Sequence, residues 1–279
     1  MIVVDNASTD GSRQLLARDF PEVKLIPLDR NLGFTGACNA GLRAGQGQCL
    51  ILLNNDTEVA ADWLEAILAA FGRHPQAGSV AAKMLLFDRR NVLHAAGDFF
   101  RVDGTPGNRG VWEEDRGQFA EGPVFSANGG SAAYRRAMLE DVGLLDESFY
   151  FSLEDVDLGW RAQLRGWPCV YVREAVVYHK LSATGGGVTH SFYNGRNFLY
   201  VMAKDVPGAL WRRYWPQMLR AQLQISLEAV RAWRGREARA RLRGQLAGLL
   251  GLPRQLARRR AIQAGRRVSI DYLESILTH

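Results

Sequence analysis

The sequence predicts an α/β protein with a mainly parallel central sheet flanked by helices, followed by a helical C-terminal extension. Two features of the first two-thirds predict the sheet. Short apolar runs alternate with helical patterns, and polar clusters follow the apolar runs. A third feature sets the extension apart. Residues 205–279 hold 15 Arg and no Lys against 5 acids, a net +10, whereas residues 1–204 hold 20 basic and 24 acidic side chains, a net −4. The expected division is a catalytic body at 1–204 and a basic extension at 205–279.

Each element follows from its residues. Ile2-Val3-Val4 runs apolar into Asp5 and reads as a buried strand ending at a site. Ser8, Thr9 and Asp10 are N-cap types, so a helix is expected over residues 11–19. Residues 23–28 (VKLIPL) and 49–53 (CLILL) read as strands, with a helix over 36–44 between them. Trp63, Ile67, Leu68 and Phe71 recur at helical spacing within 60–71, and 80–87 is another apolar run. The Gly-rich stretch 88–119 is expected to be an irregular excursion over the site. Helices over 135–142, 155–165 and 190–203 and a strand over 168–178 complete the body.

Composition removes several classes. With 47% hydrophobic and 23% charged residues the chain is a folding one, not a disordered one. Cys38, Cys49 and Cys169 are widely spaced and form no CxxC pair, which fits reduced buried thiols rather than zinc or disulfides. No GxGxxG follows a strand and no GxxxxGK[ST] occurs. Gly185-Gly186-Gly187 lacks a following Lys and reads as a loop rather than a phosphate cradle. No secretion signal is visible and no apolar run approaches the ~18 residues of a membrane span, so a cytoplasmic chain is expected.

In open α/β sheets ligands bind beyond the carboxyl ends of strands. Asp5 follows the first apolar run, Asn54, Asn55, Asp56 and Glu58 follow 49–53, Glu154 and Asp155 follow Tyr150-Phe151, and His179 follows Val176-Val177-Tyr178. A single acid at a strand end is ordinarily a cap or loop residue, but a series of such clusters points to one crevice. Asp56, Glu58 and His179 are oxygen and imidazole donors, suited to Mg²⁺ or Mn²⁺. A hard cation with few protein ligands completes its shell from water and phosphate, which implies a phosphorylated substrate. Asp155 is then left as a general base.

These segments resemble a known family. VVDNASTDGS, NLGFTGACNAGLRAG, LLNNDTEV, SLEDVDLGWRAQLRGW and VVYHK are similar, in order, to the signature segments of family 2 glycosyltransferases with the GT-A fold, most of all rhamnosyltransferase-like and galactofuranosyltransferase-like members. The resemblance covers roughly residues 1–204. It implies a nucleotide-diphospho-sugar transferase fold and an inverting hexosyltransferase dependent on Mn²⁺ or Mg²⁺. It implies that Asp5, Asn31 and Asn55 bind the nucleotide, with Asn39 either near it or a structural turn residue. Asp56 and His179 would hold the metal, with Glu58 behind them. Asn54 stands where the family has the first Asp of its Asp-x-Asp, so the ion is expected to be held less tightly. Asp155 matches the catalytic base, with Glu154, Gly129 and Gly130 on the acceptor side. Trp160 and Trp167 are expected in the core more than against an acceptor sugar.

The implied partners are a nucleoside-diphosphate sugar and a saccharide or lipid-linked saccharide acceptor, in cell-surface polysaccharide or glycolipid synthesis. In the extension, Trp211, Trp215, Leu219, Leu223 and Leu227 recur every four residues among Arg212, Arg213 and Arg220. That pattern fits either a peripheral helix on an anionic inner membrane surface or a helix packed on the body. Nucleic acid is not expected. Two rival functions stand beside transfer: a catalytically inactive partner subunit, and a sugar nucleotidyltransferase, whose Gly-rich triphosphate loop is not in this chain. Family members carry a first strand and helix ahead of the segment matching VVDNASTDGS. The expectation is therefore an N-terminally truncated catalytic domain, with an open edge on residues 2–4 and further coding sequence upstream.

Overall fold

The apolar runs read as strands form strands. The structure, a computed structural model, describes residues 1–180 and 187–279; Gly185 and Gly186, read above as part of a loop, lie outside the described residues. The chain opens with β1 (Ile2–Asp5), α1 (Ser12–Asp19), β2 (Lys24–Pro27) and α2 (Gly33–Ala44). β3 (Cys49–Leu53) and the short β4 (Thr57–Val59) flank the acidic turn, followed by α3 (Trp63–Arg73) and β5 (Ser79–Leu86). Next come β6 (Leu93–Ala96), β7 (Asp98–Phe100), β8 (Pro106–Asn108), β9 (Gly122–Val124) and β10 (Ser131–Arg135). The rest is α4 (Arg136–Val142), α5 (Glu154–Arg165), β11 (Cys169–His179), α6 (Val188–Lys204), α7 (Gly208–Arg231), α8 (Arg236–Ala264) and α9 (Ile270–Ser275).

The main sheet runs in the order β3-β10-β5-β11-β4, with β6 beside β5 and β9 beside β11. The expectation of a mainly parallel sheet needs one correction. Among the described residues only β5 and β11 pair in parallel in this sheet. β10 lies between β3 and β5, antiparallel to both, and β4 and β9 against β11 and β6 against β5 are antiparallel too. β10 is entered from a run of loops and short strands rather than through a crossover helix, and an antiparallel neighbour needs no crossover. β1 and β2 form a separate parallel pair, and among the described residues no other strand joins them. The excursion 88–119 is also more regular than expected, since it contains β6, β7 and β8. Strands of three or four residues between glycines carry too little alternation to be read. The start of α1 differs too: Gly11, in the left-handed region at φ 84°, occupies the cap, and Asp10 accepts the Ser12 N–H at 3.1 Å from just ahead of it.

Side chains of β5 alternate between the two faces of the sheet. Ala81 and Leu85 join a cluster with Leu42, Met138 and Leu158, under α2, α4 and α5. Val80, Ala82 and Met84 join Trp63, Ile67 and Phe71 of α3. A third cluster spans body and extension. Phe100, Phe125 and Trp160 pack with Phe198, Leu210, Met218, Leu273 and Leu277. Beside it, Thr278 donates to the Phe100 carbonyl at 2.9 Å and accepts from Val102 N–H at 2.9 Å. Trp160 is thus core. Trp167 packs beside the first cluster and its indole donates to Asp141 at 2.9 Å.

The extension is fastened by close backbone approach and by buried charge. α6 and α8 run parallel, in contact through glycines. A Cβ on Gly195 would sit 2.6 Å from the Arg241 carbonyl oxygen, and one on Gly244 would collide with the Phe192 carbonyl. Lys204, 1% exposed, pairs with Asp157 and with Asp146 (2.6 Å); Arg161 holds Asp157 (2.8 Å) and Arg258 holds Asp146 (2.6 Å). This network links α5, the 146 turn, α6 and α8.

Candidate functional site

The carboxyl ends of β1 and β3, the start of α5 and the end of β11 supply the polar clusters. Asp5 is 5% exposed and already engaged: it accepts the Ser8 N–H at 3.3 Å and pairs with Arg13. Burial works against its charge, but the bonds from Ser8 and Arg13 outweigh it and hold the carboxyl below its ordinary value. The adjacent Asn6, missed by sequence reasoning, accepts from Leu32 N–H at 2.8 Å and donates to Asn31 at 3.0 Å. Asn31 also accepts from the Tyr150 hydroxyl at 3.2 Å. These bonds join the β1 end to the loop before α5. Asn39 is structural, being buried and tied to Leu145 and Glu147. Asn55 is exposed on the turn after β3.

That loop is strained. Tyr150, Ser152 and Leu153 have φ of 64°, 68° and 65°. A non-glycine residue in this region costs on the order of 1–3 kcal/mol, and such strain clusters at working sites. Gly33 makes room for it, since a Cβ there would meet Tyr150 at 2.5 Å. The loop is held from α6. The Asn197 amide, fully buried, donates to the carbonyls of Phe149 (3.0 Å), Phe151 (2.8 Å) and Ser152 (2.7 Å), and Arg196 donates to those of Ser148 and Phe149 (2.7 Å each). No local pattern marks these two residues, because their partners lie 45–48 positions away.

Glu154 and Asp155 open α5. Asp155 is largely enclosed but keeps some solvent access, and it accepts from Gly129 N–H and Val156 N–H, both at 2.8 Å. Burial pushes its carboxyl up against the pull of those bonds. Glu154 is 5% exposed, one of its oxygens has no hydrogen-bond partner, and burial and then Asp155 push it well above its ordinary value. Asp98, at the start of β7, is 3% exposed and accepts from Ser126 at 3.0 Å. It is pushed well up by burial and then by Asp155. Gly130 packs on Met84, where a Cβ would come within 2.8 Å, and its carbonyl accepts from Asn54 N–H at 3.0 Å.

Beyond Asn54, Asp56 and the last residue of β11 meet. His179 Nε2 lies 3.3 Å from Asp56 Oδ1, and their side chains are 12% and 8% exposed. His179 Nδ1 is 3.1 Å from Nδ1 of His94 on β6, so one imidazole donates to the other. Burial and then His179 lower His94 to about 4, which keeps it neutral at pH 7. Such a partner fixes the ring of a ligating histidine. Among the described residues no group of three ligating side chains gathers. The donor set of one carboxylate and one imidazole therefore fits a divalent ion that takes its remaining ligands from diphosphate and water. Glu58 is turned away into a paired contact with Arg90 at 2.9 Å, so it does not back the pair directly.

The chain is similar to known proteins. The family model for glycosyl transferase family 2 matches residues 1–143. The N-acetylglucosaminyl-diphospho-decaprenol L-rhamnosyltransferase of Mycobacterium tuberculosis is 29% identical over 250 residues, covering 81% of each chain. Two solved structures share the fold. The mannosyltransferase of Pyrobaculum calidifontis in complex with GDP-Man and Mn²⁺ superposes with TM-score 0.54 at 19% identity, covering 99% of this chain and 73% of that one. GalNAc-T7 with UDP, GalNAc and Mn²⁺ superposes with TM-score 0.56 at 15% identity, covering 73% of this chain and 41% of that one. The fold is GT-A, with a helical extension at its C-terminal side.

Proposed function

This chain belongs to glycosyl transferase family 2, and from that premise we propose an inverting, metal-dependent transfer of a sugar from a nucleoside diphosphate to an acceptor hydroxyl. One observation carries the reading. The backbone bond from Asn54 to Gly130, at 3.0 Å, sets the turn leading to Asp56 against the loop that cups Asp155. A donor diphosphate on the first loop and an acceptor hydroxyl on the second would then be neighbours.

Asp155 takes the proton of the acceptor hydroxyl. Its raised pKa makes it a stronger base than an exposed carboxylate, and the Gly129 and Val156 N–H groups hold its direction. The acceptor oxygen attacks the anomeric carbon from the side away from the diphosphate, so one displacement inverts the centre. Glu154, its carboxyl pushed well above its ordinary value by burial, faces the acceptor side. Gly129 and Gly130 leave it room beside backbone. Asn31 and Asn55 face the nucleotide, together with Asp5. Asp56 and His179 would hold Mn²⁺ or Mg²⁺, which when bound supplies positive charge where the diphosphate gathers negative charge.

The rhamnosyltransferase relative favours a lipid-linked saccharide acceptor and cell-surface polysaccharide or glycolipid synthesis. A panel of nucleoside-diphosphate sugars with mass spectrometry of products tests the reading. Free nucleoside diphosphate with the sugar on an acceptor is expected. Pyrophosphate would make the chain a nucleotidyltransferase, and no turnover with any donor would favour a binding partner. EDTA should abolish transfer and Mn²⁺ or Mg²⁺ should restore it; full activity in chelator removes the metal from the scheme.

A further inference from the structure

α7 turns one side to the protein, burying Leu210, Met218 and Ala229. Its other side is an unburied apolar stripe. Trp215, Leu219, Leu223, Leu227 and Val230 are 53, 49, 61, 48 and 52% exposed, and Trp233 just beyond the helix is 59% exposed. Residues four apart share a helix face, so these side chains are contiguous. A shallow groove of about 400 Å³ runs along them, with Arg220 on its rim. α8 continues the surface. Gln245 donates to Ser226 at 2.9 Å across the α7–α8 seam, and Leu249, one turn beyond Gln245, is 54% exposed.

Charge around this stripe is mainly positive, since exposed Glu228 and Glu237 are outnumbered by arginines. Residues 205–279 carry a net +10. Arg213, Arg258 and Arg267 have carboxylate partners, but among the described residues Arg220, Arg231, Arg234, Arg236 and Arg243 have none. No helix of the described residues is long and apolar enough to cross a membrane. A second copy of the chain would bring the same arginines against these and be repelled. An anionic bilayer meets both halves of the surface. Its headgroup boundary accepts Trp and Leu, and its phosphates accept guanidinium forks.

We infer that the α7 stripe, extended by the exposed leucines of α8, seats the protein on an anionic lipid surface. This extends the proposed function by placing enzyme and lipid-linked acceptor in one plane, and it rests on that reading only for the acceptor. The test uses the full chain and vesicles of phosphatidylcholine with or without phosphatidylglycerol, in the absence of substrate. Co-sedimentation with the anionic vesicles alone is expected, weakening as salt is raised. A Leu219→Glu/Leu223→Glu variant should bind about tenfold more weakly or worse, while its helical circular dichroism and its transfer to a water-soluble acceptor persist. Equal or absent binding to both vesicle types overturns the inference, as does a variant that binds like the wild type. A wild-type dimer that the variant makes monomeric overturns it in favour of a second copy. Vesicle binding without transfer would sink the enzymatic reading alone.

Discussion

Asp155 and Asp157 stand two residues apart on α5 and so leave it on roughly opposite sides. One faces the Gly129 loop, the other the seam with α6 and α8. Burial opposes ionisation at both. On the site side the neighbouring charges are further acids, Glu154 and Asp98, and all three carboxyls are pushed up. On the seam side Arg161 and Lys204 outweigh burial and hold Asp157 below its ordinary value. Asp205 marks the limit of the seam. It is fully buried, and burial and Asp157 push it well up, because the nearby cations already serve Asp157 and Asp146. The difference teaches that reach to a cation, not burial, separates an acid that fastens this fold from one available for proton transfer.

The largest effect should come from erasing the difference. Lys204→Met leaves Asp157 and Asp146 short of a cation, and a broken buried pair costs about 3–5 kcal/mol. Urea unfolding measures this; a loss under about 1 kcal/mol would mean the seam is not fastened by charge. Asp155→Asn should lower kcat by about 10²-fold or more, while donor binding persists and the urea midpoint stays level or rises. A variant that both transfers normally and unfolds early would reverse the two roles. Asn197→Ala, which frees the strained loop from α6, should cost about tenfold in kcat, on the order of 1.4 kcal/mol, with donor affinity unchanged. Equal losses in kcat and donor affinity would show general misfolding instead. The pH profile is the mildest test. Asp155 acts deprotonated and its pKa lies above 3.8. Transfer should therefore fade, as pH falls, at a higher pH than an exposed aspartate would give. An acid limb at or below 3.8 would show that burial does not tune the base.

Much of the site was legible because strands in α/β proteins end where ligands bind. Asp5 and His179 end strands and Asp56 lies in the turn between β3 and β4, as their positions after apolar runs implied. Tyr150-Phe151, by contrast, forms a strained loop rather than a strand, and Asp155 stands in the first turn of α5. Elements joined by distant contacts were not legible. His94 meets its partner 85 residues on, and β6 has only four residues. Asn197 looks like one more polar residue in an amphipathic helix until the carbonyls it gathers are seen. The reversed β10 is equally silent, since alternation of buried residues reveals a strand but not its direction. In the extension arginines dominate the pattern, and nothing local marks Gly244 and Gly248 of α8, although they decide how close α6 comes.

The third core cluster bears on biosynthesis. Phe100, Phe125 and Trp160 are finished only by Leu273 and Leu277, and Thr278 closes the hydrogen bonds beside them. A ribosome adding about 5–20 residues per second makes the early aromatic half on the order of ten seconds before its lid. In that interval the nascent chain shows a sticky patch and an unclosed sheet rim. A yield sensitive to translation speed is therefore the expected outcome, set by where the cluster draws its parts rather than by its final stability.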